Sequence, residues 1–288
     1  MLSPRPPLLA GLVALATLAA GGCTRSTAPG LPPGTEVEDL PESESWDAAL
    51  RTSADGRPRI EIDAPYLARY RRPDSSFVYL GPPPGRPSPG GAGSDPVRVA
   101  VFTKGGAPRA DVRAREAWYY EDDGRLVTEG DVRTTVRGDD GAEISARRIT
   151  VEDETVTAEG DVRATVRGGG GAEVRAARLV TRAGGAFTAS GGATVRLEGA
   201  GATVQARTVS GSGSRYEASG GVRVAASGGR TLQAGRVVWD EGAGRFLAPG
   251  AFSFDGPGER VRGVGLTASA DLSRYSFRNV TGEIEVAE

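Results

Sequence analysis

Apolar and polar residues alternate in short runs along most of the chain, and the runs repeat. Residues 126–137 read LVTEGDVRTTVR and residues 156–167 read VTAEGDVRATVR, so EGDVRxTVRG recurs at an offset of 30 residues. Weaker copies begin at Ala189, Ala218 and Ala248, and the markers Gly130, Gly160, Gly191, Gly220 and Gly250 are spaced by 30, 31, 29 and 30 residues. Between these markers lies a second recurring segment: VRAREA at 112–117, ISARRI at 144–149, VRAARL at 174–179, VQARTV at 204–209, LQAGRV at 232–237 and VRGVGL at 261–266, with IDAPYL at 62–67 as a further copy. Self-similarity at such a period means a stacked architecture in which each repeat adds one supersecondary unit.

Alternation over a few residues predicts half-buried strands. Within each copy the phase then slips: Ile144 and Ala146 are even-numbered, whereas the next apolar residues, Ile149 and Val151, are odd. Successive side chains of a strand point to opposite faces, so both pairs stay on one side only if a bulge or sharp bend lies between them. The glycine segments are expected to bend as well, since glycine supplies a permissive backbone. The fold class predicted is therefore all-β. Each repeat contributes two long antiparallel strands bent near the middle and joined by Gly-rich turns at 138–141 and 168–171, and they stack into an open two-sheet β-jellyroll or β-taco trough. At about 4.8 Å per strand, roughly fourteen strands extend about 65 Å. One short helical turn is expected, over Ser43 to Arg51. A parallel β-helix is the competing architecture, but its calcium-binding nonapeptide is missing from the sequence.

Parity assigns the lining of the trough. Val132, Val136, Ile144 and Ala146 fall on the inner face, as do Val162, Val166, Val174 and Ala176, followed by Val195, Val204, Val222, Val224 and Leu232. Small aliphatic side chains are expected to leave space between facing sheets about 10 Å apart, which a tight sandwich fills with larger groups; simple mutual packing is the other reading. Arg133, Arg137, Arg163, Arg167, Arg196 and Arg223 have the opposite parity and are expected in solvent. A stack that does not close leaves an unpaired edge at each end. The last strand, Arg274 to Val286, contains no proline and carries Tyr275, Phe277, Val280 and Ile284; the first is expected around Arg59 to Tyr66. Strand addition to the last edge would recruit a partner through main-chain hydrogen bonds.

Composition narrows the functional classes. The 35 basic and 37 acidic residues give a net charge of −2, with none of the concentrated positive charge that nucleic-acid binding needs. There is no histidine, which removes His-centred triads, HExxH zinc sites and imidazole bases. A single cysteine excludes an internal disulfide and Cys-rich metal sites, so no metal and no cofactor is expected. The 43 glycines and 19 prolines of the 288 residues stay below the roughly 25–30% that marks aperiodic disorder. Two acidic pairs, Asp122/Asp123 and Asp139/Asp140, lie in Gly-containing turns, where carboxylates serve turn geometry, and Lys104 precedes Gly105 and Gly106 as a turn residue.

At the N-terminus, Arg5 precedes an apolar run of 13 residues, Leu8 to Ala20. That length suits a secretory signal peptide, since a membrane span needs about 20 apolar residues. The sequence Ala20, Gly21, Gly22, Cys23 then resembles a bacterial lipobox, in which the cysteine is acylated and becomes the mature N-terminus. An ordinary cleaved leader with an incidental cysteine and a short uncleaved anchor are the other readings. The domain organisation expected is a signal peptide at 1–22, lipidated Cys23 with a flexible Pro-, Ser- and Gly-rich tether at 23–45, and a β-trough at 46–288 interrupted by a Pro/Gly-rich surface loop at 81–96.

Taken together, the anchor, the tether, the repeats A-R-x-[IL]…A-E-G-D-V-x-[AT]-x-V, and the closing segments FSFDGPGERVRGVGLTA (252–268), DLSRYSF (271–277) and VTGEI (280–284) resemble the LptC family, and more broadly the LptA/OstA-type lipopolysaccharide-transport domains. The likeness runs from Ser45 to Glu288; the chain is longer than the family norm, and a lipid anchor stands where enterobacterial members have a transmembrane helix. The resemblance implies a non-enzymatic periplasmic carrier working in outer-membrane biogenesis, anchored at an envelope membrane with the inner membrane favoured. Its trough would take lipopolysaccharide acyl chains from an inner-membrane ABC transporter and pass them to an LptA-like bridge protein, docked on the last strand while the first faces the transporter. The rival of a different class is an envelope scaffold or adhesin with no lipid cargo, whose interior would be filled.

Overall fold

The computed structural model describes residues 40–83, 95–138, 141–167, 171–182, 185–280 and 285–286, all within one unit, Glu38–Glu288. Among the described residues eighteen strands form a single sheet in which every pairing is antiparallel. They are β1 Ser43–Ala54, β2 Arg57–Arg72, β3 Ser75–Leu80, β4 Val97–Phe102, β5 Pro108–Ala114, β6 Glu116–Tyr120, β7 Arg125–Val136, β8 Ala142–Glu152 and β9 Thr155–Val166. The series continues with β10 Ala172–Thr181, β11 Phe187–Leu197, β12 Ala202–Ser212, β13 Arg215–Ala225, β14 Thr231–Asp240, β15 Arg245–Gly256, β16 Glu259–Ser269, β17 Tyr275–Val280 and β18 Glu285–Val286. Among the described residues the helical content is one 3-10 turn, Ser227–Gly229, and no helix is long and apolar enough to cross a membrane. The signal-peptide segment, Cys23, residues 24–39 of the tether, most of the loop at 81–96, Asp139, Asp140 and Ile284 lie outside the described residues.

From β7 to β16 each strand pairs with the next, and each of these pairings shifts register near its middle: at Glu129/Val132, Ser145/Arg148, Ala176/Arg178, Ser190/Ala193, Gln205/Thr208 and Ser219/Val222, among others. These are the places where the apolar phase slips. On β8 the buried residues are Ile144 and Ala146 before the shift and Ile149 and Val151 after it, so the bulge keeps both halves turned to one core. The bend is made by consecutive left-handed residues: Gly130 (φ 81°) with Asp131 (51°), Gly160 (80°) with Asp161 (52°), Gly191 (78°) with Gly192 (86°), and Gly220 (85°) with Gly221 (79°).

This row of bulges creases the sheet into two limbs, and contacts across the crease show that the strands double back. Arg109, in the first limb, donates from Nη2 to the backbone carbonyl of Glu154 at 3.3 Å, in the turn at the far end of β8. The Tyr275 hydroxyl donates to Glu259 Oε2 at 2.6 Å, although Tyr275 pairs with Ala268 at the opposite end of β16. Nine residues of extended strand would hold those positions about 30 Å apart. One contiguous apolar cluster, running from Ile60 on β2 to Leu272 beyond β16, fills the space between the limbs.

Three expectations at the N-terminal end are corrected. Ser43 to Arg51 is extended, not helical, because β1 pairs residue by residue with β2 from Ser43↔Arg69 to Thr52↔Ile60, and Trp46 packs on Tyr66 with ring centroids 4.9 Å apart; tertiary pairing overrides local preference here. The edge strand is accordingly β1 rather than the segment Arg59 to Tyr66, which lies inside the sheet on β2. The folded region also begins before residue 46, with Glu42 N donating to the Arg69 carbonyl at 2.8 Å. The strands on either side of the segment 81–96 share β2: β3 pairs with its second limb and β4 with its first, so the two short strands make one interrupted rung.

Candidate functional site: the interior between the limbs

The residues expected to line a trough all lie in the first limb and share its inner face. Val132, Val162, Val174, Val195, Val204, Val222, Val224, Leu232, Ile144, Ala146 and Ala176 are buried, whereas Val136 and Val166 at the strand ends are half-buried. Arg133, Arg137, Arg163, Arg167, Arg196 and Arg223 are exposed on the outer face, as their parity requires. Arg137 pairs with Asp111 at 2.6 Å and Arg167 with Glu143. Further along the outer face Glu129, Arg148, Glu159 and Arg178 alternate in sign from strand to strand; exposed pairs of this kind are worth a few tenths of a kcal/mol each and mainly favour one register.

Of the second limb's lining, the phase slip names only Ile149 and Val151. Leu126, Ile149, Leu179, Val209, Ala218 and Val237 face the first limb, and bulkier groups stand near the turns: Tyr216, Trp239 and Phe246, with Trp239 and Phe246 in ring contact at 4.6 Å. Phe187 and Tyr216 flank Gly211, where an added Cβ would lie 2.5 Å from one ring and 2.6 Å from the other. The small side chains of one limb thus face larger ones of the other. Where these groups meet, from β11 to β15, there is a cavity of about 20 Å³ lined by residues such as Val195, Leu197 and Val204 on one limb and Tyr216, Trp239 and Phe246 on the other. That is space for about one water molecule, against the roughly 300 Å³ of a small ligand pocket. In this part of the stack the aromatic groups opposite take up space that the small aliphatic side chains leave.

The interior holds one polar anomaly. Thr134, on the inner face of β7 between Val132 and Val136, is 4% exposed, and its hydroxyl has no hydrogen-bond partner. Such an orphan costs about 1–3 kcal/mol. Nearby, Thr128 satisfies its own hydroxyl on the Ile149 carbonyl at 3.2 Å.

The rims of the limbs face each other along a seam that carries no backbone ladder among the described residues. What bridges it is side chains: Lys104 Nζ to Glu154 Oε1 at 3.4 Å, the Arg109 contact, and the Tyr275 to Glu259 hydrogen bond. Lys104, read as a turn residue, sits in the turn between β4 and β5 and reaches across. Tyr275 also packs on Phe254 at 4.6 Å, and burial, followed by the hydrogen bond to Glu259, pushes its phenol up to about 12. Beyond β16, Asp271 accepts from the Ser269 hydroxyl at 2.6 Å and from Ser273 N at 3.1 Å, which holds its carboxyl well below the usual range and folds Leu272 inward, fully buried at φ 55°.

The acidic turn pair Asp122/Asp123 does what its position suggests: Asp122 accepts from Ser76 N at 3.1 Å and Asp123 from Arg125 N at 2.9 Å. Among the described residues no group of three or more His, Cys, Asp or Glu side chains is placed to hold a metal ion.

At the C-terminal edge, β17 pairs with β16 alone among the described strands, and the short β18 also pairs with β16. Of the last strand expected over Arg274 to Val286, β17 and β18 are described, and residues 281–284 between them lie outside the described residues. Tyr275 and Phe277, named from sequence as residues of the partner edge strand, turn half-buried toward the core, so what β17 offers outward is main chain and the exposed Ser276, Arg278 and Asn279. Val280 is described by its backbone only. No protein-family model matches the chain, and no curated protein matches it either.

Proposed function

We propose that this chain is a non-enzymatic lipid carrier of the cell envelope, tethered through acylated Cys23. It shelters the acyl chains of lipopolysaccharide between its limbs on the way from an inner-membrane ABC transporter to an LptA-like bridge protein docked on the free edge of β17. The observation that carries the reading is the seam. A continuous apolar interior lies along one sheet whose two rims are joined only by side-chain contacts among the described residues, so the limbs can part without breaking a strand ladder. An acyl chain of about twelve methylenes exposed to water costs about 10 kcal/mol, and parting limbs lined by Val, Leu and Phe replace water with apolar contact over that length. The sugar and phosphate groups of the cargo stay outside the seam.

A second reading is favoured by a specific observation: a cavity of about 20 Å³ between closely packed limbs suits an envelope scaffold whose interior is only a core. One experiment separates the two. An aliphatic diazirine amino acid at Val162 and another at Ser276 are photolysed in lipopolysaccharide-producing cells, with and without Cys23→Ser. The carrier reading expects a lipopolysaccharide adduct at position 162, an adduct with a second trough-type chain at position 276, and loss of membrane fractionation and of both adducts with Cys23→Ser. A folded protein giving only intramolecular products at 162 would leave the scaffold.

A further inference from the structure

The three bridges across the seam are not equivalent. Lys104 is 79% exposed and Glu154 52%, which makes theirs a solvent-screened pair of little strength. Arg109 reaches only a backbone carbonyl, at 3.3 Å. The bridge at the C-terminal edge is built differently. Tyr275 is half-buried, its ring lies against Phe254 of the opposite limb at 4.6 Å, and its hydroxyl makes a 2.6 Å hydrogen bond to the carboxylate of Glu259. Glu259 begins β16 and Ala268, the partner of Tyr275, lies near its end, so this one contact ties the two ends of a single strand together. A hydrogen bond to a charged acceptor is short and about twice as strong as a neutral one. The clasp also lies at the C-terminal edge: Tyr275 begins β17, which pairs with β16 alone among the described strands, and an edge strand resists local opening least.

We propose that the Tyr275–Glu259 clasp is the gate of the seam: it holds the limbs shut at the C-terminal edge, and its release admits an acyl chain sideways into the interior. The acyl-chain part rests on the carrier reading; the clasp itself does not. An aromatic ring on one rim and a carboxylate on the other also suit the boundary such a cargo presents, an apolar chain ending at a polar head group. The phenol would then exchange its intramolecular acceptor for one on the cargo, leaving Glu259 to water.

The test uses the full chain carrying Cys23→Ser, with spin labels on Pro257→Cys and Arg274→Cys at the two rims. It compares the parent with Tyr275→Phe, which keeps the ring on Phe254 and removes only the hydroxyl, and with Glu259→Gln, each first confirmed as folded by circular dichroism. The parent is expected to give one short distance, and both variants a broadened distribution extending to longer ones. Uptake of a fluorescent fatty-acyl probe should be roughly tenfold faster in the variants, the size expected for losing one hydrogen bond to a charged group. Unchanged distances in both variants overturn the clasp, whatever the probe does. Longer distances with no uptake in any form establish the clasp and overturn the carrier reading instead.

Discussion

Val162→Arg is expected to lower unfolding stability by roughly 3–5 kcal/mol, whereas Arg163→Ala, one residue away, should leave it unchanged or slightly improved. Val162 is 1% exposed and pairs with Ala176 on the inner face of the first limb. Among the described residues no acid is buried in the interior to pair with a guanidinium there, and an uncompensated buried charge carries a penalty of that order. Arg163 faces solvent and stands directly opposite Arg175; like charges across a strand pair repel, so removing one relieves a small cost. Denaturant midpoints of the three proteins decide the matter. Equal midpoints for Val162→Arg and the parent would mean that β9 does not turn this face inward. The experiment also sets a condition on any lipid assay, because loss of binding in Val162→Arg reports on the interior only if the variant remains folded.

The alternation made the strands legible, and the phase slip made the crease legible, because both are consequences of the two-residue period of a strand. The inner set assigned by parity stays within one limb because it is counted on one side of the phase slip; beyond the slip only Ile149 and Val151 are named. Trp239 and Phe246 sit next to the turn at 241–244, where the copies diverge and no repeat marks them. Small side chains on one limb predict open space, and between β11 and β15 the aromatic residues opposite occupy part of it. β1 was unreadable for a different reason. An edge strand with one neighbour and few buried positions needs little apolar pattern, and the local run around Trp46 to Leu50 carries no strand signal of its own. The clasp between Tyr275 and Glu259 is a contact between residues that only the crease brings together. No spacing rule for a helix or a hairpin connects positions 259 and 275, so it could be found only after the strand was seen to fold back.

The carrier and scaffold readings differ physically in what the crease is for. In a scaffold the bulges merely let a long sheet bury its own face. In a carrier they must also act as hinges, since two limbs that open and close along a seam rotate about the residues at the crease. Paired left-handed residues suit that role, and they also fix the crease in place.

Gly191→Ala is therefore expected to cost about 2–4 kcal/mol of stability, while Gly192→Asp should cost 1 kcal/mol or so at most. Both positions are left-handed, at φ 78° and 86°. At Gly191 an added Cβ would lie 2.7 Å from the Cβ of Ala177 on the neighbouring strand, a short rigid group with no torsion to turn aside. Left-handed strain of about 1–2 kcal/mol then adds to a steric clash that the backbone itself must relieve. Around Gly192 nothing lies within 4 Å, and the equivalent second places of two other bends are held by Asp131 and Asp161 at φ 51° and 52°, a residue type that tolerates this region. That the bends carry Gly-Asp at 130 and 160 and Gly-Gly at 191 and 220 follows from these two environments: the first place must lack a side chain, and the second must only accept the angle. Adding Ala177→Gly to Gly191→Ala removes the clash but not the strain, so the double variant should recover part of the loss, with a favourable coupling in the double-mutant cycle. Denaturant unfolding of the four proteins gives that coupling directly. If the two single substitutions at 191 and 192 cost the same, or if Ala177→Gly restores nothing, the close approach at the crease is not what requires glycine there.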